Sequence, residues 1–198
     1  MVDRRRVRGE ATRERLLSTA RALFGERGYE GTSIDAVLER SGVARGALYH
    51  HFDSKAELFD AVAEEVFVEI AEQTAAAGQG STDPLERLRA GSHAWLVMAL
   101  DPAVQRIALL DPPTVLGWRR WRELDEQYTL GGLRGALSRL ARDGRIPHGQ
   151  AELLAYMLLA ALNEAALFIA GADDEQRAVA AGKATIDTLL DRLCGVRR

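Results

Sequence analysis

The stretch TSIDAVLERSGVARGALYHHFDSK, Thr32 to Lys55, decides how this chain folds. Thr32 and Asp35 have the spacing of a capping box, which starts a helix. Ile34, Val37 and Leu38 then lay an apolar stripe along it at the helical period. Gly42 follows Ser41 where the chain must turn, because glycine takes the left-handed conformation that ends a helix. Val43 to His50 forms the next helix, with Val43, Ala47 and Leu48 toward a core and Arg45, Gly46 and Tyr49 on the opposite side. A bidentate cation, a bare backbone and an aromatic hydroxyl are what a helix entering a DNA groove offers. Ser54-Lys55-Ala56-Glu57 is a second capping box and opens a further helix at Lys55.

Working outward, Leu16, Leu17, Ala20, Leu23 and Phe24 make the buried face of a helix from about Glu10 to Arg27, stopped at Gly28. Ahead of it, Arg4, Arg5, Arg6 and Arg8 form a basic arm that can order against phosphates or in a minor groove, or remain a solvated tail. Downstream, Leu58, Phe59, Val62, Val66, Phe67 and Ile70 carry the Lys55 helix to about Ala77, far enough to leave the first three helices and enter a second unit. Gly78-Gln79-Gly80-Ser81-Thr82 has linker composition. Asp83-Pro84-Leu85-Glu86 starts a helix to about Leu100, and Asp101-Pro102 a short one to Leu110.

Asp111-Pro112-Pro113 ends that short helix and begins another. It carries Trp118, Trp121, Leu124 and Tyr128, then Leu133, Leu137 and Leu140, to near Gly144. Gly131-Gly132 is placed to bend it or to admit a close neighbour. The helix from His148 to Ala170 is apolar nearly all round, which requires burial on two sides. Asp173 and Gln176 have capping-box spacing before a last helix to about Cys194, in which Gly182 allows close helix contact.

With 198 residues and no run of period two, the chain is expected to be all-α, about nine helices in two parts, 1–54 and 55–198. The single cysteine, Cys194, excludes an intramolecular disulfide framework. Nothing at the start resembles a signal peptide, and the apolar run Leu153 to Leu162 is too short for a bilayer, so a soluble, cytoplasmic protein is expected. The net charge of −3 hides an asymmetry: residues 1–55 carry 11 Lys and Arg against 8 Asp and Glu, the others 15 against 21. A basic head on an acidic body suits local binding to a polyanion.

Phe24, Gly28, Tyr29, Thr32, Ser33, Ile34, Val37, Ser41, Gly42, Val43, Gly46, Leu48, Tyr49, His51, Phe52, Lys55 and Leu58 together resemble the tetracycline-repressor (TetR-like) family of bacterial transcriptional regulators. The resemblance covers roughly the first 60 residues in order, spacing and residue type, and the rest in helical layout alone. It implies an N-terminal three-helix, helix-turn-helix DNA-binding domain and a C-terminal helical ligand-binding and dimerisation domain. It also implies a homodimer on a near-palindromic double-stranded DNA operator. The physics agrees, since so short a recognition helix reads few base pairs and needs a second copy.

Candidate DNA contacts are Arg4, Arg5, Arg6, Arg8, Thr32, Ser33, Ala44, Arg45, Gly46, Tyr49, His50 and Lys55. Arg45 can donate two bonds to guanine or hold a phosphate. Gly46 lets backbone approach DNA. Tyr49, His50 and Lys55 suit phosphate, as do the hydroxyls of Thr32 and Ser33, although capping alone accounts for Thr32. His51 and Phe52 read as packing residues.

In the body, Phe67, Trp95, Met98, Trp118, Trp121, Tyr128, Tyr156 and Asn163 are candidates for lining a pocket for a small, largely apolar effector; each has core packing as its alternative. Phe168 belongs with these aromatics, Asn163 and Glu164 are the more telling as polar groups inside an otherwise apolar helix, and His93 is a weaker candidate of the same kind. A buried Asn163 must find a partner in protein, water or ligand. Leu153, Met157, Leu167, Val179, Gly182, Ile186 and Leu190 are dimer-interface candidates. His50 and His51 point about 100° apart and make no metal site. No nucleophile–base pair or cofactor motif is visible, so no enzyme, metal or cofactor is expected. The expected function is a repressor that releases DNA when effector shifts the Lys55–Ala77 helix. An activator, a ligand-independent DNA-binding regulator and an all-helical carrier protein stay open.

Overall fold

A computed structural model describes residues 4–195, with side chains from residue 7 onward. It forms α1 (Arg4–Arg27), α2 (Ile34–Ser41), α3 (Arg45–His51), α4 (Lys55–Ala77), α5 (Pro84–Met98), α6 (Pro102–Val104), α7 (Pro112–Val115), α8 (Gly117–Leu124), α9 (Leu130–Arg142), α10 (Ala151–Ala170) and α11 (Glu175–Leu193). α6 winds on through a π-helical turn, Gln105–Leu110, and another, Asp125–Thr129, joins α8 to α9. Counted this way, nine helices exceed a single turn among the described residues, and no strand occurs there.

The described residues form two compact units: 4–66 with 102–121, and 67–101 with 122–195. The division falls within α4, between Val66 and Phe67, rather than at residue 54, because the first turns of α4 complete the core of the first unit. Leu58, Phe59, Val62 and Val66 are buried, as are Leu16, Leu17, Leu23 and Phe24 of α1. The Phe59 ring meets Phe24 and Tyr29 edge-on at 5.1 and 5.3 Å. The segment 102–121 belongs to this unit through α1: a Cβ on Gly25 would lie 2.4 Å from Cβ of Ala103, so only glycine lets α1 and α6 cross there.

In the second unit α5, α9, α10 and α11 pack on one another through Leu85, Leu88 and Leu96, Leu137 and Leu140, Leu158 and Leu162, and Ile186 and Leu190, all buried. Arg89 ties α5 to α11 by ion pairs to Asp187 and Asp191, both at 2.7 Å. His93 Nε2 lies 2.8 Å from Asp187. The close approach expected at Gly182 is present, since a Cβ there would meet Ile169 Cδ1 at 2.6 Å. Gly131 and Gly132 have open space around them, and the irregularity of that helix lies earlier, in the π-helical turn.

Several boundaries move for local reasons. α1 begins at Arg4 rather than near Glu10, so the backbone of the basic arm is helical; the side chains of Arg4, Arg5 and Arg6 lie outside the described residues. Ser33, not Thr32, caps α2 by accepting the Ala36 N–H. α3 starts at Arg45 after Ala44, not at Val43. Asp174 rather than Asp173 caps α11. The caps at Ser54 and Asp83 stand as expected, with bonds from the N–H groups of Glu57 and Leu85. α10 runs unbroken through Asn163 for 20 residues, which by length and composition alone is enough to cross a bilayer.

Candidate nucleic-acid interface

The turn between α2 and α3 is fixed first by Gly42, whose φ of 66° places its N–H on the Leu38 carbonyl. Ser41 reinforces it by accepting the Val43 N–H at 3.3 Å. Val37, Leu48 and Phe52 turn inward and are buried. That arrangement leaves Ala44, Arg45, Gly46, Tyr49 and His50 together on an exposed face. The guanidinium of Arg45 pairs with the Asp35 carboxylate across the turn. Beyond its chain neighbours and its own helix backbone, no atom lies within 4 Å of the position a Gly46 Cβ would take, so packing does not require glycine there.

Thr32 and Lys55 do not join this face. Thr32 is buried, and its hydroxyl lies 3.1 and 2.8 Å from the carbonyls of Leu23 and Gly28, which fastens the end of α1 to the start of α2. Lys55 Nζ donates to the carbonyls of Tyr29 and Thr32 at 3.0 and 3.1 Å and rests 3.9 Å from the Tyr29 ring centroid. Two of its N–H donors are thereby committed to the α1–α2 connection. Ser33 and Arg8 remain exposed. His51 is half-buried; burial, then the charges of His50 and Arg13, hold its imidazole below the usual value, so it is neutral near pH 7.

Sequence reading missed two residues at this interface. Arg13 lays its guanidinium 5.5 Å from the Phe52 ring and supports the end of α3 from α1. Asp35 reads locally as a helix-start residue, and only the folded turn brings it to Arg45.

The pocket candidates divide between the units. Trp118 and Trp121 belong to the first, with rings edge-on at 5.0 Å, and Trp121 Nε1 donates to the Ala108 carbonyl at 3.0 Å. Phe67, Trp95, Met98, Tyr128, Tyr156 and Asn163 belong to the second. Phe67 and Trp95 are buried, and the Trp95 indole N–H has no partner. Tyr156 is engaged instead: its hydroxyl lies 2.8 Å from both Glu126 and Arg134, with the Arg122 and Arg134 guanidiniums each 5.2 Å from its ring. Met98, Tyr128 and Asn163 are half-buried, whereas Glu164 and Phe168 are exposed.

A further polar group, not anticipated from sequence, is Asp125. It is buried in the π-helical turn with the Thr129 hydroxyl beside it, and burial pushes its carboxyl up to about 6.

Among the interface candidates, Ile186 and Leu190 are buried in the second unit's own core, and Gly182 faces Ile169 and Leu96. Their apolar stripe is consumed within one chain, which removes them from a surface open to a partner. Leu167 and Val179 are half-buried. Leu153 and Met157 stay exposed at 65% and 58%, and Phe168 joins them on α10 at 77%.

A family model described as bacterial regulatory proteins, tetR family, matches residues 16–62, and one described as tetracyclin repressor-like, C-terminal domain, matches residues 85–193. The HTH-type transcriptional repressor AcnR of Corynebacterium efficiens is 32% identical over 141 residues, covering 68% of this chain and 69% of that protein. The transposon Tn10 TetC protein of Escherichia coli is 24% identical over 149 residues, 75% of each. The crystal structure of a TetR-family transcriptional regulator from Pectobacterium atrosepticum is similar at 35% identity, with a TM-score of 0.80 over 98% of this chain and 99% of that one. With both domains matched and the α2–turn–α3 face laid bare, the chain belongs to the tetR family and is a DNA-binding transcriptional regulator.

Proposed function

We propose that this regulator is a homodimeric repressor in the cytoplasm, whose two copies of α3 enter successive major grooves of a near-palindromic operator. The observation that carries this is the face formed by Arg45, Gly46 and Tyr49, exposed while Val37, Leu48 and Phe52 of the same motif are buried. Half-sites one helical turn apart, about 34–36 Å, follow for a two-fold dimer. Repression is supported by the similarity to AcnR, a protein described as a repressor. A second copy of this chain is the occupant we assign to the exposed stripe Leu153, Met157 and Phe168 on α10.

The same reading gives the helical body a small, largely apolar effector. Phe67 and Trp95 support it, the latter with a buried indole N–H that a ligand acceptor would satisfy. Effector acts only to the extent that it binds the DNA-incompetent state better. The test is selection of bound duplexes from a random DNA pool, followed by a screen for small molecules that release the selected duplex. A palindromic consensus lost in R45A supports the reading; salt-dependent binding without a consensus overturns it.

A further inference from the structure

The ion pair between Asp35 and Arg45 is not explained by stability. Its side chains are 77% and 56% exposed, where such pairs contribute about 0–1 kcal/mol. A carboxylate beside the DNA-facing helix also opposes binding, because affinity for any duplex rests largely on attraction to phosphate. Asp35 therefore costs non-specific affinity unless it gives something in return.

What it provides is geometry. Arg45 is the first residue of α3, and its long side chain, left alone, reaches the nearest phosphate as readily as a base edge. Phosphate contacts carry no sequence information. Asp35, in the first turn of α2, pairs with Nη2 of the guanidinium and so draws it toward the turn. A guanidinium has five donors, so Nη1 and the remaining donors stay free for guanine O6 and N7. Gly46, next in the chain, has no Cβ to keep the base edge away.

We infer that Asp35 is a specificity-determining positioning residue: it turns Arg45 from a phosphate contact into a reader of one guanine in each half-site. This rests on the proposed reading of α3 as the DNA-entering helix. Asp35 lowers affinity for arbitrary DNA while raising discrimination at that guanine.

The experiment uses the full-length chain and the variants D35N, D35A, R45A and D35N/R45A. Binding is measured to the selected duplex, to the same duplex with the guanine replaced, and to an unrelated duplex, across a salt series. Discrimination at the guanine is expected to fall roughly tenfold in D35N, within the range of one bidentate contact. Affinity for unrelated DNA should hold or rise, with a salt slope steeper by about one unit as Arg45 moves to phosphate. D35N should have no further effect on discrimination in the R45A background. Full discrimination in D35A, which removes the acceptor that D35N keeps, alongside its loss in R45A overturns the inference alone. Parallel weakening on all three duplexes in D35N also overturns it, since that is a structural role. Unchanged operator affinity in R45A overturns the underlying reading of α3 and the inference with it. D35N keeps the shape of the side chain and an acceptor oxygen, so it isolates the carboxylate charge, and D35A is read at temperatures where it stays folded.

Discussion

The carboxylate of Asp111 accepts a hydrogen bond from the backbone N–H of Tyr29 at 2.8 Å, joining residues 82 apart in the chain. Tyr29 lies in the connection from α1 to α2, so a residue remote in sequence holds the entrance to the helix-turn-helix. Gly28, with φ of 72°, precedes it; a Cβ there would be strained and would lie 3.1 Å from Arg106 Nη1 and 3.5 Å from the same Asp111 oxygen. Asp111→Ala leaves the Tyr29 N–H without its acceptor and should destabilise the fold by about 1–3 kcal/mol. Asp111→Asn keeps an acceptor oxygen and should lose less. Urea unfolding of both variants checks this; an unchanged midpoint in Asp111→Ala would show that the bond contributes nothing.

Lys55 offers a second separation of structure from DNA contact. Lys55→Met keeps the stem but removes donors to two carbonyls and the charge over Tyr29. Bonds from a charged donor contribute about 1.5–3 kcal/mol, so a fall of that order in unfolding free energy is expected. At temperatures where the variant stays folded, the salt slope of operator binding should equal that of the parent. A slope shallower by about one unit would instead make Lys55 a phosphate contact.

Caps and the turn were legible because each rests on neighbours in sequence: Gly42 after Ser41, Ser54 before Glu57, Asp83 before Pro84. The assignments that moved depend on the other half of the fold. Thr32 and Ser33 are adjacent hydroxyls, and only the carbonyls of Leu23 and Gly28 above Thr32 decide which one caps. A lysine at a helix start looks like a phosphate contact until the carbonyls of Tyr29 and Thr32 are seen to face it. Apolar periodicity says that a stripe is covered, not by what: Ile186 and Leu190 are covered within their own chain, Leu153 and Met157 are not. No local pattern announces that residues 102–121 return to the first unit, because Gly25 and Ala103 meet only in three dimensions.

Asp125 makes stability depend on pH. Burial is the first cause of its raised carboxyl, to about 6; the Thr129 hydroxyl and Arg122 pull the other way, and Glu126 adds to the rise. In the unfolded chain the group titrates near about 3.9. A folded value above the unfolded one means the folded state holds the proton more tightly. That advantage is fully present below about pH 4 and is lost as pH rises through about 6. Asp125→Asn cannot ionise and keeps an acceptor for Thr129. It should match the parent near pH 4 and exceed it above pH 6, by an amount on the order of 2–3 kcal/mol for a two-unit shift. Denaturant midpoints across pH 4–8 measure this, and a difference independent of pH would assign it to packing.

Gly46 gives the sharpest test of why α3 looks as it does. Glycine inside a helix costs about 1 kcal/mol relative to alanine, and here no internal contact justifies that cost, because the Cβ position is open and φ is not positive. Gly46→Ala should therefore raise the folded protein's stability, by up to about 1 kcal/mol in thermal or urea unfolding. Operator affinity should move in the opposite direction, since the added methyl stands between Arg45 and Tyr49 on the face proposed to meet the groove. A loss on the selected duplex larger than on unrelated DNA places the methyl against a base edge. An equal loss on both places it against the sugar-phosphate backbone, which every duplex shares. Unchanged affinity with raised stability would mean that α3 does not approach DNA at Gly46, and the docking of this helix would have to be redrawn around Tyr49 and His50.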